Sequence, residues 1–178
     1  GLILDGKLYH GASDAAGEIG HTTIDSTGRR CKCGNYGCLE AYTSGPAIAE
    51  RAREALEGDG NSLMSGLVDG DLSKLTAQTV FEAAKRGDRA ALDVVRDTAH
   101  FLGVGISNLI NIFNPDIFVV AGGVTQAGDL LFDPLRAEVR RRAFKPSVEA
   151  CRIVAGSLPL SAGVVGAVAT FRAQTTGL

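Results

Sequence analysis

The stretch Asn114-Pro115-Asp116-Ile117-Phe118-Val119-Val120-Ala121-Gly122-Gly123-Val124 decides the fold class. Asn114-Pro115 closes a helix, because a residue that precedes proline is pushed out of the helical region. Ile117 to Val120 is an unbroken β-branched and aromatic run and reads as a buried central strand. Gly122 and Gly123 follow at once, and a helix starts near Asp129. Glycines at such a strand end let a ligand approach the backbone, and a helix start offers unpaired N–H groups to a phosphate. A plain glycine turn of an α/β protein has the same look, so the motif alone leaves both readings open.

Working upstream, Asp88 caps a long helix to about Phe113. Its Leu92, Val95, Ala99, Leu102, Ile106, Leu109, Ile110 and Phe113 keep helical spacing. Gly103 and Gly105 cost that helix stability, and the expected return is close approach of another backbone. Thr76 caps a further helix to Lys85, and Pro46 to Leu56 is helical, joined to it by a polar connection from Gly58 to Gly70. Downstream, a helix runs from Asp129 to about Ala143 and ends in Arg140, Arg141 and Arg142. These arginines complement a helix C-terminus, with anion binding as the alternative. Arg152 to Ala155 reads as a strand and Ala162 to Phe171 as a final helix. At the start of the chain, Leu2 to His10 reads as a hairpin turning at Asp5-Gly6. Starting inside a hairpin is expected of a fragment whose beginning has been cut away. Residues 21–24 read as a short strand. The order gives an α/β architecture with one right-handed strand–helix–strand crossover, Ile117 to Ala155.

The 178 residues suffice for one domain or two small ones. Eighteen basic against 20 acidic residues give a net charge of −2, which argues against broad nucleic-acid binding. No segment approaches the roughly 20 apolar residues of a membrane span. No basic start leads into an apolar signal segment, so a cytoplasmic address is expected and no membrane partner. The 23 glycines and the absence of tryptophan suit a close-packed aliphatic α/β core.

Three of the four cysteines are clustered, in Cys31-Lys32-Cys33-Gly34-Asn35-Tyr36-Gly37-Cys38, ten residues after His21. Three thiolates and one imidazole suit a closed tetrahedral structural Zn²⁺ site. Gly34 and Gly37 would let the loop curl around the ion. A disulfide is disfavoured, since Cys31 and Cys33 are too near in sequence to bridge without strain. Cys151, among Val148, Ala150, Ile153 and Val154, reads as a buried thiol acting as a small hydrophobe.

Glu18-Ile19-Gly20-His21 places a carboxylate three residues before the imidazole, and Glu40 follows the last clustered cysteine by two. If one ring nitrogen of His21 holds the metal, the other is free for a ligand. Two carboxylates and a fixed imidazole suit a polyol, because hydrogen bonds to charged acceptors are the strong ones. Two solvated glutamates beside an ordinary metal-ligand histidine would give the same spacing.

Gly17-Glu18-Ile19-Gly20-His21 followed by Cys31-x-Cys33-Gly34-x-x-Gly37-Cys38-x-Glu40 resembles the signature of the ROK family, which holds bacterial glucokinases, related sugar kinases and sugar-responsive repressors. The resemblance continues in Ser44-Gly45-Pro46-Ala47-Ile48-Ala49, Gly103 to Asn111, Asn114-Pro115, Ala121-Gly122-Gly123-Val124 and Ala162-Gly163-Val164-Val165-Gly166-Ala167. It implies an actin-like, ribonuclease-H-related fold of two lobes. Residues 1–178 would then be most of the C-terminal lobe, with the zinc loop at 21–40 and the final helix, about 162–172, packing toward an N-terminal lobe. It also implies zinc on His21, Cys31, Cys33 and Cys38, sugar hydroxyls on Glu18, His21 and Glu40, and nucleotide against Gly122 and Gly123. ATP with Mg²⁺, a hexose and a homo-oligomer, dimer or tetramer, are the implied partners.

The family's kinases carry an Asp-x-Gly-Gly phosphate loop and an Asn-Asp pair, whose Asp is the base, before this region. Neither is in this chain, so no catalytic residue is expected here and the chain alone should not turn over. Val124 and Ser161 stand where many members have glycine and aspartate. The leading expectation is ATP-dependent phosphorylation of a hexose, most simply glucose. The alternative is the effector domain of a sugar-responsive repressor, in which case an upstream segment binds nucleic acid.

Overall fold

The computed structural model describes residues 1–58, 61–158 and 161–176. Two strands, β1 (Ile3–Leu4) and β2 (Lys7–Leu8), form the hairpin, and Asp5 and Gly6 at its tip have φ of 51° and 74°. Two positive φ values are what a two-residue type I′ turn requires. After the cysteine loop come α1 (Glu40–Thr43), α2 (Gly45–Gly58) and α3 (Leu63–Gly66), then α4 (Ala77–Lys85) and α5 (Arg89–Phe113). Strand β3 (Ile117–Val120), α6 (Asp129–Arg142), α7 (Lys145–Ala150), β4 (Arg152–Ala155) and α8 (Ala162–Thr176) complete the order.

Helix α5 is the axis of the molecule and packs on α2, α4 and α6. Its Val95, Ala99, Ile106 and Ile110 meet Ile48 and Ala52 of α2, Val80 and Ala84 of α4, and Leu131, Leu135 and Val139 of α6 in one core. Each fully buried Val, Leu or Ile side chain contributes about 1.5–3 kcal/mol. The two mid-helix glycines permit the close approaches expected of them. A Cβ on Gly103 would lie 2.5 Å from Glu138 Cγ of α6, and one on Gly105 would lie 2.6 Å from Leu39 Cδ2. What approaches is side chain rather than backbone.

Strands β3 and β4 pair in parallel, Ile117 beside Arg152 and Val120 beside Ala155, with α6 in the crossover. The expectation of a buried central strand needs correcting. Phe118 and Val120 face the helices, whereas Ile117 and Val119 are 42% and 52% exposed. A parallel strand is apolar on both faces because both are ordinarily covered. Among the described residues the sheet has two strands, and the helices pack on one of its faces. The short strand expected at 21–24 is also reduced. A 3-10 turn takes Ile19–His21, and one antiparallel bridge joins Thr23 to Cys38. Asp25 ends the pairing by accepting from the Thr27 N–H in a local turn.

The polar connection holds more than was expected of it, although residues 59 and 60 lie outside the described residues. Ser62 caps α3, and Met64 is driven into the core. Helix α7, with a proline in its first turn, was equally unmarked by periodicity. Helix α8 presents Val164, Val165, Val168 and Phe171 to solvent. No helix among the described residues is long and apolar enough to cross a membrane.

Asp88 does two jobs at the α3–α5 junction. One carboxylate oxygen accepts from Ala91 N–H at 2.9 Å as the helix cap, and the other from Leu63 N–H at 2.8 Å. Asp88→Ala should lower unfolding free energy by about 1–3 kcal/mol in a denaturant titration, from a lost helix cap and a part-buried Leu63 N–H left without its acceptor. A change below about 0.5 kcal/mol, the level of neutral surface substitutions, would refute this.

Candidate metal and ligand site

The loop that carries the cysteines is tied at several backbone points. Ile24 N–H donates to Gly37 O, Gly37 N–H to Arg29 O, and Cys31 N–H to Asn35 O, all within 2.7–2.8 Å. Gly37 has φ +69°, and a Cβ there would sit 1.5 Å from Asp25 O, so only glycine can take the position. The Tyr42 hydroxyl of α1 closes the loop from below. It accepts from Arg29 N–H at 2.8 Å and donates to Asp25 Oδ2 at 3.1 Å. Burial pushes the Tyr42 hydroxyl above its ordinary pKa, so it stays a donor.

These ties bring His21, Cys31, Cys33 and Cys38 together, with their ligand atoms all within 4.8 Å of one another. Cys31 Sγ lies 3.8 Å from His21 Nδ1, and Cys33 Sγ lies 3.7 Å from Cys38 Sγ. The edges of a tetrahedron drawn at ordinary Zn–S and Zn–N bond lengths are about 3.6–3.8 Å. The donor set therefore fits a tetrahedral metal ion in type, number and spacing. All four cysteines are free thiols, so no disulfide competes for them. Burial pushes the Cys38 thiol up to about 11, while the Asn35 backbone N–H and then Cys31 hold Cys33 below its ordinary value.

Glu18 and Glu40 flank the imidazole on opposite edges. Glu18 Oε2 is 3.9 Å from His21 Nε2, and Glu40 Oε2 is 3.5 Å from Nδ1. The nitrogen beside the sulfurs is thus Nδ1, and Nε2 points away from them toward Glu18. Both carboxylates and the ring edge are open to solvent. Glu40 is the first residue of α1, so the element that presents it also carries Tyr42.

Gly122 and Gly123 belong to a different element, the end of β3. Gly122 has φ +91°, and a Cβ on either glycine would meet nothing within 4 Å among the described residues, which leave the space over them open. The helix does not start directly after them. A 3-10 turn, Gly123–Ala127, intervenes, with Gly122 O accepting from both Thr125 N–H and its hydroxyl. Helix α6 opens on the acidic Asp129, which opposes an anion at that terminus. Any phosphate role therefore falls to the glycine turn rather than to the start of α6. Cys151 is half-buried instead of fully buried, at the edge of the core.

Tyr42, Asp25 and Arg51 escape a reading by spacing. Arg51 sits beside Ile48 and Ala52 on the apolar face of α2 and is 8% exposed. Its guanidinium donates to Tyr42 O, Thr98 Oγ1 and Val94 O, lies 3.4 Å from Asp97, and covers the Phe101 ring. A charge inside an apolar stripe was the available signal. Nothing in the sequence names its partners.

The ROK family model matches residues 1–174, and the chain belongs to the ROK family. A glucokinase from Thermotoga maritima is 34% identical over 177 residues, 99% of this chain and 56% of that protein. A xylose repressor from Caldicellulosiruptor bescii is 32% identical over 174 residues, 95% of this chain and 42% of that protein. The crystal structure of a ROK family glucokinase from Streptomyces griseus, in complex with glucose and AMPPNP, superposes with a TM-score of 0.84 at 34% identity, covering 93% of this chain and 54% of that one. The α/β fold is thus one shared with ROK sugar kinases. The chain spans about half the length of the curated relatives it matches.

Tyr42→Phe leaves the Arg29 N–H without its acceptor and Asp25 without its donor. The expected cost is about 1–3 kcal/mol of unfolding free energy, with faster amide exchange at Arg29. Wild-type stability together with wild-type exchange would show that the hydroxyl does not hold the loop.

Proposed function

We propose that this chain is the metal-bearing C-terminal lobe of an actin-like sugar kinase that phosphorylates a hexose, glucose first among candidates, from ATP with Mg²⁺ in the cytoplasm. The observation that carries the reading is the orientation of His21. With Nδ1 beside the thiols, a Zn²⁺ ion on His21, Cys31, Cys33 and Cys38 would fix the ring and leave Nε2 beside Glu18 for a sugar hydroxyl. Such an ion has four protein ligands and no open position, so its role is to shape the loop. Glu18 and Glu40 would accept from adjacent hydroxyls, and charged acceptors give the strong hydrogen bonds that orient a polyol.

The nucleotide would lie against Gly122 and Gly123, where no side chain among the described residues blocks the backbone. The base that deprotonates the attacking hydroxyl is expected upstream. Within this chain the residues bind and orient; they move no proton. Likeness to a glucokinase crystallised with glucose and AMPPNP supports this assignment.

A second reading has its own support. The xylose repressor aligns over 95% of this chain, nearly as far as the glucokinase. In that reading the same pocket is a sensor, and an upstream segment binds DNA. Sugar-dependent ADP release by the full-length protein separates the two. Turnover of a hexose supports the kinase, and sugar binding without turnover supports the repressor.

Two substitutions test the site itself. Cys33→Ser should lose the bound zinc, read by metal analysis of the purified protein; undiminished zinc would remove the thiolate from the ligand set. Glu18→Gln in the full-length protein should weaken hexose binding by about 1.5–3 kcal/mol, roughly tenfold or more, by calorimetry. Unaltered affinity would take Glu18 out of the sugar site.

A further inference from the structure

The run Arg140-Arg141-Arg142 at the end of α6 divides in the folded chain. Arg141 and Arg142 turn to Glu138, which also takes His100 at 3.0 Å. Arg140 turns the other way, into a groove of about 660 Å³ between α6, α7 and β4. Arg136, Lys145 and Arg152 line the same groove, and Glu149 is the single carboxylate in it.

Two of these four cations have no acidic partner among the described residues. Arg140 and Arg152 make no ion pair or side-chain hydrogen bond among the described residues. Lys145 reaches Glu149 only at 3.9 Å, with both side chains well exposed. Arg136 is held in place: it donates to Ile153 O at 3.3 Å, lies over the Phe132 ring at 5.2 Å, and has Asp133 at 3.6 Å. A fixed guanidinium loses little freedom on binding and forms paired hydrogen bonds to phosphate or carboxylate oxygens. The floor is partly apolar, from Val148, Ile153 and Val154. The chain as a whole carries −2, so four cations around one cavity do not reflect a generally basic surface. Four like charges held close repel one another, and a bound anion relieves that repulsion.

We propose that this groove is a binding site for a small anion bearing two or more linked phosphates, separate from the sugar and glycine-turn sites. The cations come from α6, from the start of α7 and from β4, so they surround a ligand and can meet charge at more than one end. The cavity has the size of a small-molecule site. A nucleic acid, by contrast, is met by a basic face spread along its backbone. The groove's cations lie toward the start of β3, away from the glycines. Arg152 pairs with Ile117, about 17 Å along the strand from Gly122, and the nearest lining residue, Val154, pairs with Val119, about 10 Å from it.

The test is calorimetric titration of the full-length protein with tripolyphosphate, with and without a saturating non-hydrolysable ATP analogue. The expected result is binding that survives the analogue, weakens as salt is raised, and falls at least tenfold in Arg140→Gln/Arg152→Gln. Arg140→Gln alone, which breaks no contact, should give a smaller loss in the same direction. Abolition of binding by the analogue, or the same affinity in both variants, would overturn the proposal. So would tighter binding of a single-stranded oligonucleotide than of tripolyphosphate, weakened by the same substitutions, which would make the groove part of a nucleic-acid surface.

Discussion

The contact on which the rest of the site depends is the side chain of Tyr42. Its hydroxyl ties the Asp25 and Arg29 sides of the cysteine loop together, and its ring packs on Phe101 of α5 at 4.2 Å. Its carbonyl is held by Arg51, which is itself bonded to Thr98 and Val94 of α5. A loop with few apolar residues has little burial of its own to stabilise it. Here it is fastened to the longest helix of the molecule by one aromatic residue and one buried guanidinium. Burial lowers the pKa of Arg51, which measures the desolvation its partners offset.

The ligand side of the molecule follows from that attachment. Cys38, Glu40 and Tyr42 are alternate residues of one short segment, so a thiol of the cluster, a carboxylate and the anchor share a single piece of backbone. The imidazole of His21 stands between the thiol cluster and Glu18. Recognition built in this way is independent of any catalytic base. That separation gives a physical basis for one family to include both glucokinases and repressors. Groups of this kind, if they hold a polyol as proposed, would serve a reaction or bias a conformation according to what the other half of the protein supplies.

Much of this was legible in the sequence, for local reasons. The caps Thr76 and Asp88, the 3.6-residue spacing of α5 and the Asp5-Gly6 turn depend on neighbours in the chain, and the parallel pair around α6 follows from the order of strand, helix and strand. The cysteine spacing already placed three thiols and an imidazole in one loop, and the structure brings those four side chains together. The failures have a common cause. Whether β3 is covered on both faces depends on what lies across from it, and the alternation of Phe118 and Val120 against Ile117 and Val119 is invisible in four consecutive apolar residues. The 3-10 turn after Gly122 reflects one hydrogen-bonding threonine, Thr125. The Arg51 and Tyr42 contacts reach across 47 and 13 residues and leave no period to read.

The sequence separations within the loop also set an order of assembly. The ties among Thr22, Arg29, Gly37, Cys38 and Tyr42 join residues fewer than about 20 apart, so closing them costs little chain entropy. The Arg51–Thr98 bond, 47 residues apart, can form only once α2 and α5 have met. Early and late contacts are therefore divided along the boundary between the loop and the helical body. On that division the loop would open as a unit of its own while the helices stay packed, which amide exchange would register as separate protection. A sugar held by Glu18 and Glu40 would then act first on the contacts of the loop rather than on the packing of the helices.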